Sequence, residues 1–522
     1  MDDSGGLPTQ PDSEPTLSRA VILAVLATSA AVAGFAISTQ SYWIDEATSL
    51  IVAMSSSPAE AWKYAQAVSG STIQMPLYHA YLYFWHKMFG SGEWAMRASN
   101  IPWFILAQLA FLVLLRHRPK LALLSCLLAA VSPTIWTYLD ETRPYAMQYA
   151  AACWLVAGLL RFSSPHAPTT PVRGLTGALV IALIVLFSSS PLGAVWAGGF
   201  LAAFIWLRFS GTPDTQGHSS APPAGWRSLA VFLVGVLLIS VYYFLTWPAG
   251  GEGYHRGGMA LVSIPYIAYD FLGFSGYGPG KLELRGSALG AMVRNIPALL
   301  PLALVLAVLV VSFAGSAKTK RPGRRPVIAW LLALLLPSLV ILVAFVLSSY
   351  RALPRHFIPA LPAVIVALSA LAALALESKS VIWRATAVLL PLLWLGSSLN
   401  LRWQGRHAKD DYRTAAAIAA KSLADNKEVW WAADAAAAYV YLTPVALENV
   451  PGRAWAMQAP SWDAIRFKFP PRVIVISKPD IYDPQGAVAR YAAENRFAPA
   501  LQLQAFTIFT REGDQLPETG NP

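Results

Sequence analysis

The feature that most constrains this chain is a series of long apolar stretches separated by short polar segments. A helix that crosses a lipid bilayer needs about 20 mostly apolar residues. Eleven stretches approach that length: 20–37, 96–115, 121–135, 145–160, 174–187, 192–207, 229–246, 296–313, 327–347, 358–376 and 385–399. The sequence therefore predicts a mainly α-helical protein, a polytopic membrane bundle of about eleven transmembrane helices.

The composition agrees with a membrane protein. Of 522 residues, 56% are hydrophobic and 13% are charged, whereas soluble domains carry about 25% charged residues. The formal net charge is +11. The basic residues lie in short loops, so they indicate membrane topology and not a nucleic-acid partner. Cys126 and Cys153 fall inside predicted spans and indicate no disulfide framework.

The loops alternate in charge, and this alternation predicts the orientation in the membrane. Lysine and arginine are enriched in cytoplasmic loops. The loops of one side carry Arg116, Arg118, Lys120, Arg161, Arg173, Arg208, Arg227, Lys318, Lys320, Arg321, Arg324, Arg325, Lys379 and Arg384. These loops and the N-terminus are therefore expected to be cytoplasmic, and an odd number of spans then makes the C-terminus extracytoplasmic. The short loops favour a multi-pass protein of the cell inner (plasma) membrane.

The chain divides into three predicted regions. Residues 1–19 are polar and contain proline, which is typical of a disordered cytoplasmic tail. Residues 20–400 form the transmembrane domain, with outer loops at 39–95 and 247–295. Residues 401–522 alternate helical and strand-like segments, such as RVIVIS, and predict a small extracytoplasmic α/β domain.

The first acidic motif, YWIDEA, follows the first span directly and contains Asp45 and Glu46. Carboxylates at the exit of a membrane helix suit proton abstraction or metal binding at a lipid headgroup. The alternative is an ordinary helix start, where acidic side chains interact favourably with the helix dipole.

A second acidic motif, Asp140-Glu141, follows the third span on the same predicted side, with Arg143 two residues later. A local ion pair with Arg143 is one explanation. Yet two acidic clusters at helix ends on one side of a bundle also form an anionic site. Such a site would hold a divalent cation through oxygen ligands.

A short outer segment, 350–357, is basic, against the tendency of outer loops to lack lysine and arginine. It contains Arg351, Arg355 and His356, which suit binding of a phosphate group. Alternatively, these cations extend from a span end to the membrane surface. His255, in the long outer loop, is a further candidate for a metal or phosphate contact, and a solvent-facing role fits it equally.

Four motifs, in this order, resemble the GT-C superfamily of membrane glycosyltransferases. They are YWIDEATSL, PLYHAYLYFWHKMFGSGEWAMRASN, DETRPYAMQYA and RALPRHFIPALP. The similarity is greater to the branch of protein O-mannosyltransferases and lipid A aminoarabinose transferases. The motifs cover most of the membrane part, and the C-terminal region matches only in kind. Many relatives have His-Pro-Pro where this chain has Gln74-Met75-Pro76, so a role of that histidine does not carry over.

The resemblance implies roles for residues at the matching positions. Asp45 corresponds to the first-loop acid of the family and is implied to be the general base, with Glu46 supporting it. Arg143 and Arg355 match basic positions that would face the lipid-linked phosphate.

The resemblance also bears on a cofactor. Asp140 and Glu141 are implied to orient a divalent metal cation or the donor phosphate, and His255 is the candidate for a further metal ligand. No glycine-rich nucleotide loop is visible in the sequence, so we expect no nucleotide cofactor.

We therefore expect an inverting glycosyltransferase that uses a polyprenyl-phosphate-linked sugar. It would transfer a hexosyl or pentosyl group to a hydroxyl of a lipid, glycan or protein acceptor on the extracytoplasmic face. The main alternative is a transporter or flippase of lipid-linked sugars, which would carry ionisable residues at mid-membrane depth and broken helices in paired halves. A non-catalytic scaffold is the third alternative.

Overall fold

The computed structural model describes residues 17–68, 70–163, 173–210, 226–250, 263–316, 323–348, 350–466 and 470–517. The predicted tail at 1–19 lies outside the described residues except for its last three positions. The candidate metal ligand His255 lies outside them as well, together with part of the predicted outer loop 247–295.

In the described residues before the C-terminal sheet, every regular element of secondary structure is a helix. In chain order they are α1 (Arg19–Ala36), α2 (Ile44–Ala53), α3 (Pro58–Val68), α4 (Gly70–Ile73), α5 (Pro76–Phe89), α6 (Glu93–Arg97), α7 (Asn100–Leu114), α8 (Pro119–Val131), α9 (Pro133–Leu139), α10 (Tyr145–Ser163), α11 (Arg173–Ser189), α12 (Pro191–Phe209), α13 (Trp226–Gly250), α14 (Ser263–Phe271), α15 (Lys281–Ser316), α16 (Arg324–Trp330), α17 (Leu336–Leu347), α18 (Leu361–Glu377), α19 (Val381–Trp403) and α20 (Tyr412–Ala424). A π-helical turn, Leu331–Leu335, joins α16 to α17, and 3-10 segments, Pro354–Ala360 and Gly405–His407, adjoin α18 and α19.

The structure confirms a mainly helical membrane protein. Within the described ranges, seven helical segments are long and apolar enough to cross a bilayer. An eighth is added if α8 and α9, which meet at an angle of 59°, form one bent span. Two further apolar helices, within α11 and α13, are shorter. The stretches predicted as spans are largely helical. How many of them cross the membrane remains a prediction.

Helix α10 lies at the centre of the bundle and packs against α7, α11 and α18. Its residues Ala150 and Ala157 are buried, and small side chains of this kind let membrane helices approach closely. A Cβ atom at Gly158 would lie 2.8 Å from the Leu179 side chain on α11. This packing fixes the start of α10, directly after the second acidic motif.

The C-terminal domain is a six-stranded mixed sheet covered by helices, as predicted. Its strands are β1 (Val429–Ala432), β2 (Val445–Ala446), β3 (Ala454–Ala456), β4 (Val473–Ser477), β5 (Phe497–Leu503) and β6 (Phe506–Arg511). Its helices after α20 are α21 (Ala435–Val440), α22 (Trp462–Arg466), α23 (Pro479–Tyr482) and α24 (Ala487–Glu494). The strand order is β2-β3-β1-β4-β6-β5. Strands β2, β3, β1 and β4 are parallel, whereas β6 is antiparallel to both β4 and β5.

The sheet is buried on both faces, as is usual where helices cover a parallel sheet. On one face, Trp431 and Val475 pack with α20 and α21; on the other, Trp430 and Ile474 pack with α24. This burial explains why the RVIVIS stretch is a continuous apolar run and does not alternate with polar residues.

The C-terminal domain sits directly on one end of the helical bundle, called here the domain-facing end. The Tyr441 hydroxyl accepts a hydrogen bond from the backbone N–H of Tyr42 at 2.7 Å and donates one to Glu93 at 3.1 Å. Arg413 forms an ion pair with the same Glu93 at 3.2 Å. Both acidic motifs and the 350–357 segment lie at this end.

A tight turn between α14 and α15 packs against the end of α19 at the domain-facing end. The Trp394 indole donates a hydrogen bond to the Leu272 carbonyl at 2.9 Å, and the Gly276 N–H donates one to the Ser397 hydroxyl at 3.0 Å. A Cβ atom at Gly276 would lie 1.8 Å from the Ser397 carbonyl oxygen. The backbones can approach this closely because the residue is glycine.

We expect Gly276→Ala to lower the free energy of unfolding by about 1–3 kcal/mol, because the backbone must move to relieve the overlap. Gly405→Ala is the matched control, since a Cβ atom there would meet nothing within 4 Å. Thermal unfolding of the two purified variants in detergent measures the difference. Equal midpoints for both variants would contradict the packing described.

Candidate functional site

Asp45 lies in the first turn of α2, at the domain-facing end. Its Oδ2 atom accepts a hydrogen bond from the Arg355 guanidinium at 2.5 Å, and both side chains are partly exposed. Arg143 donates to the Asp45 carbonyl at 3.2 Å and to the Ser49 hydroxyl at 3.0 Å. The first acidic motif, the second acidic motif and the basic 350–357 segment therefore meet at one place.

The electrostatic environment keeps Asp45 ionised. Burial acts to raise the pKa of this carboxyl, but the charges of Arg355 and Arg143 outweigh burial and hold the pKa below its usual value. A carboxylate in such a pair accepts a proton readily only after its arginine has been drawn away. The Asp45–Arg355 pair thus resembles a resting arrangement that a competing anion would open.

Glu46 is fully buried and connects several segments. It forms a bidentate ion pair with Arg97, with Nε and one terminal nitrogen each 2.8 Å from a carboxylate oxygen. It also accepts hydrogen bonds from Lys409 at 2.9 Å, from the Thr142 N–H at 3.0 Å and from the Trp43 N–H at 3.3 Å. Burial acts to raise the pKa of Glu46, but Arg97 and Lys409 lower it to about 2.

Arg97 is also completely buried, and its remaining N–H groups are used. One terminal nitrogen donates to the carbonyls of Ser38 at 3.0 Å and Gln40 at 2.7 Å, and the other donates to the carbonyl of Ser41 at 3.1 Å. A buried charge is tolerated only when it is paired and hydrogen-bonded in this way. Arg97 therefore fixes the segment that leads from α1 to Asp45.

Asp140 sits in a cluster of cations. It accepts from the Ser38 N–H at 2.6 Å and the Ser38 hydroxyl at 3.0 Å. Arg402 lies 3.3 Å and Lys409 3.5 Å from its Oδ2 atom. Burial acts to raise the pKa of Asp140, but Lys409, Arg97 and Arg402 together lower it.

Of the residues predicted to bind a metal, His255 lies outside the described residues, and Asp140 and Glu141 do not fit a divalent cation well. The oxygens of Asp140 already face donors and cations, which compete with a metal ion for the same lone pairs. Glu141 is buried, burial raises its pKa, and its nearest basic side chain is Lys281 at 4.0 Å. In the part of the chain that the structure describes, no group of three or more His, Cys, Asp or Glu residues could hold a metal ion.

The basic residues predicted to bind phosphate occupy different environments. Arg355 lies 5.9 Å and Lys281 5.2 Å from the centre of the Trp43 ring, so two cations flank one aromatic side chain beside Asp45. Arg351 is exposed. The Nδ1 atom of His356 accepts a hydrogen bond from the Leu353 N–H at 3.1 Å.

Several residues of this cluster were not predicted from the sequence, namely Arg97, Arg402 and Lys409. Arg97 lies at the start of the predicted span 96–115, and Arg402 and Lys409 follow the last span on the predicted outer side, where the positive-inside tendency disfavours basic residues. This tendency drew attention to Arg355, but it applies equally to other outer cations and does not identify their carboxylate partners.

Nearly the whole fold of this chain is similar to that of solved structures. The chain is similar to ArnT from Cupriavidus metallidurans in the apo state, with a TM-score of 0.54, 14% identity, and coverage of 94% of this chain and 97% of that one. ArnT from the same organism bound to undecaprenyl phosphate gives a TM-score of 0.56, 14% identity, and coverage of 96% and 100%. The fold of this chain is thus similar to that of ArnT over nearly the whole length of both chains. No protein-family model and no curated protein sequence matches this chain.

We expect Arg97→Met to lower the free energy of unfolding by about 3–5 kcal/mol, because it leaves the buried Glu46 carboxylate without its bidentate partner. The control is Lys120→Met, which breaks an exposed ion pair with Glu377. That pair has a similar length, 2.9 Å, and its loss should change the free energy of unfolding little. Unfolding of both variants in the same detergent gives the comparison. An equal decrease in the free energy of unfolding of both variants would show that Arg97 does not stabilise the buried Glu46 carboxylate.

Proposed function

We propose that this protein is a glycosyltransferase of the GT-C type that uses a polyprenyl-phosphate-linked sugar on the extracytoplasmic side of the inner membrane. The observation that carries the proposal is the Asp45–Arg355 pair, 2.5 Å long and partly exposed, at the domain-facing end of an ArnT-like bundle. It places a base candidate in contact with a phosphate-binding candidate.

Three cations lie around Asp45 and Trp43, where the donor phosphate would bind. Arg143, Arg355 and Lys281 all lie within contact distance of Asp45, Glu141 or the Trp43 ring. Guanidinium groups bind phosphate through paired, charge-assisted hydrogen bonds. That one of the ArnT structures is bound to undecaprenyl phosphate supports a polyprenyl phosphate as the lipid part of the donor.

Binding of the donor would prepare the base. The phosphate competes with Asp45 for Arg355, and the loss of this partner raises the pKa of the carboxyl, so that it becomes a stronger base. Asp45 then accepts the proton of the acceptor hydroxyl as the hydroxyl oxygen attacks C1 of the sugar. The C1–O bond to phosphate breaks, and its electron pair stays on the phosphate oxygen. Attack opposite the leaving group inverts the configuration at C1.

Arginine and lysine side chains would stabilise the charge that builds on the leaving phosphate. Arg143 is held in place by hydrogen bonds to Ser49 and Ser71, whereas the Arg355 side chain, which extends from the 3-10 segment, exchanges Asp45 for the phosphate. Preorganised donors of this kind contribute strongly to catalysis. Since Asp140 and Glu141 do not fit a divalent cation, no step of this mechanism is assigned to a metal ion.

Glu46, Asp140 and their partners support the site without contacting the reacting atoms in this proposal. Their carboxylates are saturated by Arg97, Lys409 and Arg402, so they are poor proton acceptors. Assays with defined donors and acceptors distinguish a hexosyl from a pentosyl donor, and a lipid, a glycan and a protein acceptor from one another.

The test is sugar transfer by the purified full-length protein from defined undecaprenyl-phosphate-linked hexoses and pentoses. Release of undecaprenyl phosphate together with a glycosylated acceptor supports the proposal. A transporter or flippase would move the same lipid without breaking the C1–O bond. Lipid movement in vesicles with no bond cleavage would therefore overturn the assignment as an enzyme.

We expect Asp45→Asn to lower the rate of transfer by about 10²–10⁴-fold, the usual contribution of a general base. The same change frees Arg355, so affinity for undecaprenyl phosphate should be unchanged or higher. Asp425→Asn, at an exposed carboxylate of the C-terminal domain, is the control. Transfer at the wild-type rate in Asp45→Asn would exclude this residue as the base.

We expect Arg355→Met to weaken binding of undecaprenyl phosphate by about 10- to 100-fold, because a charge-assisted hydrogen bond contributes about 1.5–3 kcal/mol. Binding of undecaprenol, which has no phosphate, should not change. Arg453→Met, at an exposed arginine, serves as the control variant. Equally weakened binding of both lipids would mean that Arg355 supports the protein structure and does not bind the phosphate.

A further inference from the structure

The carboxylate of Glu141 differs from the other three carboxylates of the two acidic motifs. Asp45, Glu46 and Asp140 each accept a hydrogen bond from an arginine side chain. Among the residues that the structure describes, none donates a hydrogen bond to the carboxylate of Glu141, although its side chain is only 5% exposed. A buried carboxylate without hydrogen bonds is unfavourable, so a ligand that supplies a donor would bind favourably here.

The basic side chain nearest to Glu141 is that of Lys281, and the two are too far apart for a direct hydrogen bond. The Lys281 Nζ atom lies 4.0 Å from the Glu141 Oε1 atom, whereas an N–H···O hydrogen bond measures about 2.7–3.2 Å. The Lys281 side chain is 74% exposed, so the ammonium group marks the side from which a ligand reaches the buried carboxylate. A charged donor and a charged acceptor are thus separated by a gap that a third polar group can bridge.

The backbone of each partner is held in place. The Asn100 side-chain amide donates a hydrogen bond to the Glu141 carbonyl at 2.8 Å. Lys281 begins α15, and a Cβ atom at the preceding Gly280 would lie 2.0 Å from the Arg406 carbonyl oxygen. The two backbones are therefore preorganised, and the exposed Lys281 side chain can adjust to a ligand.

The ring of Trp43 joins this pair to Asp45 and Arg355. The Lys281 ammonium lies 5.2 Å from the centre of the ring, and the Arg355 guanidinium carbon lies 5.9 Å from it. Trp43 is partly exposed, and an aromatic side chain with a few convergent polar groups is typical of a ligand site. The Glu141–Lys281 pair and the Asp45–Arg355 pair therefore lie around one aromatic side chain, close enough for a single sugar phosphate to contact both.

A neutral hydroxyl group matches the gap between Glu141 and Lys281 best. It can donate a hydrogen bond to the carboxylate and at the same time accept one from the ammonium group. An ammonium group on the ligand would be repelled by Lys281, and a carboxylate on the ligand would be repelled by Glu141. The pair thus favours a sugar that carries uncharged hydroxyl groups.

We propose that Glu141 and Lys281 bind a hydroxyl group of the donor sugar while Arg355 binds the phosphate of the same donor. They are binding residues that select a neutral, hydroxylated sugar over a charged one, and they do not contact the reacting atoms. This inference rests on the proposed function, because it names the class of sugar that Asp45 and Arg355 would act on. Of the three cations around Asp45 and Trp43, Lys281 is thereby assigned to the sugar.

The first experiment is equilibrium binding by the purified full-length protein in detergent, without any acceptor. The ligands are undecaprenyl phosphate itself and undecaprenyl phosphate linked to glucose, mannose, arabinose or glucosamine, the last with its amine protonated. We expect one of the three neutral donors to bind most tightly of all five ligands. If undecaprenyl phosphate alone or the glucosamine donor binds most tightly, the inference is overturned.

The second experiment compares the tightest neutral donor with undecaprenyl phosphate in two variants. We expect Lys281→Met and Glu141→Gln each to weaken binding of the donor by about 10-fold or more, because each removes a hydrogen bond with a charged group. Binding of undecaprenyl phosphate should not change. Arg285→Met is the matched control, because this residue lies one turn later in α15 and pairs with Asp480 of the C-terminal domain at 2.7 Å.

Two results for Lys281→Met would overturn the inference, and this variant changes an exposed side chain, so it is informative even if Glu141→Gln does not fold. Equally weakened binding of the donor and of undecaprenyl phosphate would place Lys281 at the phosphate. Unchanged binding of the donor would exclude Lys281 from the sugar site.

These measurements separate the sugar site from the proposed function. If a neutral donor binds through Glu141 and Lys281 but no sugar is transferred to any acceptor, the proposed function is wrong and the sugar site is supported. If sugar is transferred and neither variant changes the affinity for the donor, the proposed function is supported and the sugar site is wrong.

Discussion

The buried ion pair between Glu46 and Arg97 is the interaction on which the site depends. Its two side chains are completely inaccessible to solvent, so each charge must be satisfied by the protein itself. Arg97 satisfies its remaining N–H groups with carbonyls of the segment before α2, and Glu46 satisfies its remaining lone pairs with the Thr142 N–H and Lys409. Four segments that are distant in sequence are thereby joined at one point.

Buried ion pairs of this kind contribute more to a unique arrangement than to net stability, because desolvation offsets much of their attraction. In this protein, the ion pair between Glu46 and Arg97 fixes the position of the first turn of α2. With Glu46 fixed, the preceding residue in the chain, Asp45, is directed toward Arg355 and Arg143. Glu46, whose carboxylate is saturated, and Asp45, whose carboxylate is partly exposed, are neighbours in sequence, and only Asp45 is given a chemical role in our proposal.

The same network joins the two parts of the molecule. Lys409 lies in the linker after α19 and contacts both Glu46 and Asp140, so the route of the chain into the C-terminal domain passes through the acidic cluster. The sheet of that domain then receives Ile44 at its edge. The C-terminal domain thus packs against a segment of the membrane bundle, and Asp45, the base in our proposal, is the next residue after Ile44.

The sequence by itself determined the helical membrane architecture, the small α/β region and the polar segments that meet in the site. Apolar runs and outer-side charges are local properties, and RVIVIS was recognisable as a buried strand because its apolar residues are consecutive. The residue pattern alone did not separate Asp45 from Glu46, which only the family resemblance assigned to different roles, and it could not tell whether Asp140 binds cationic side chains or a metal ion. Those roles depend on partners such as Arg97, Arg402 and Lys409, which lie 51 to 363 residues away. Only the tertiary structure brings these charges within a few ångströms, where they determine which carboxylates are buried and saturated and which one, Asp45, is partly exposed.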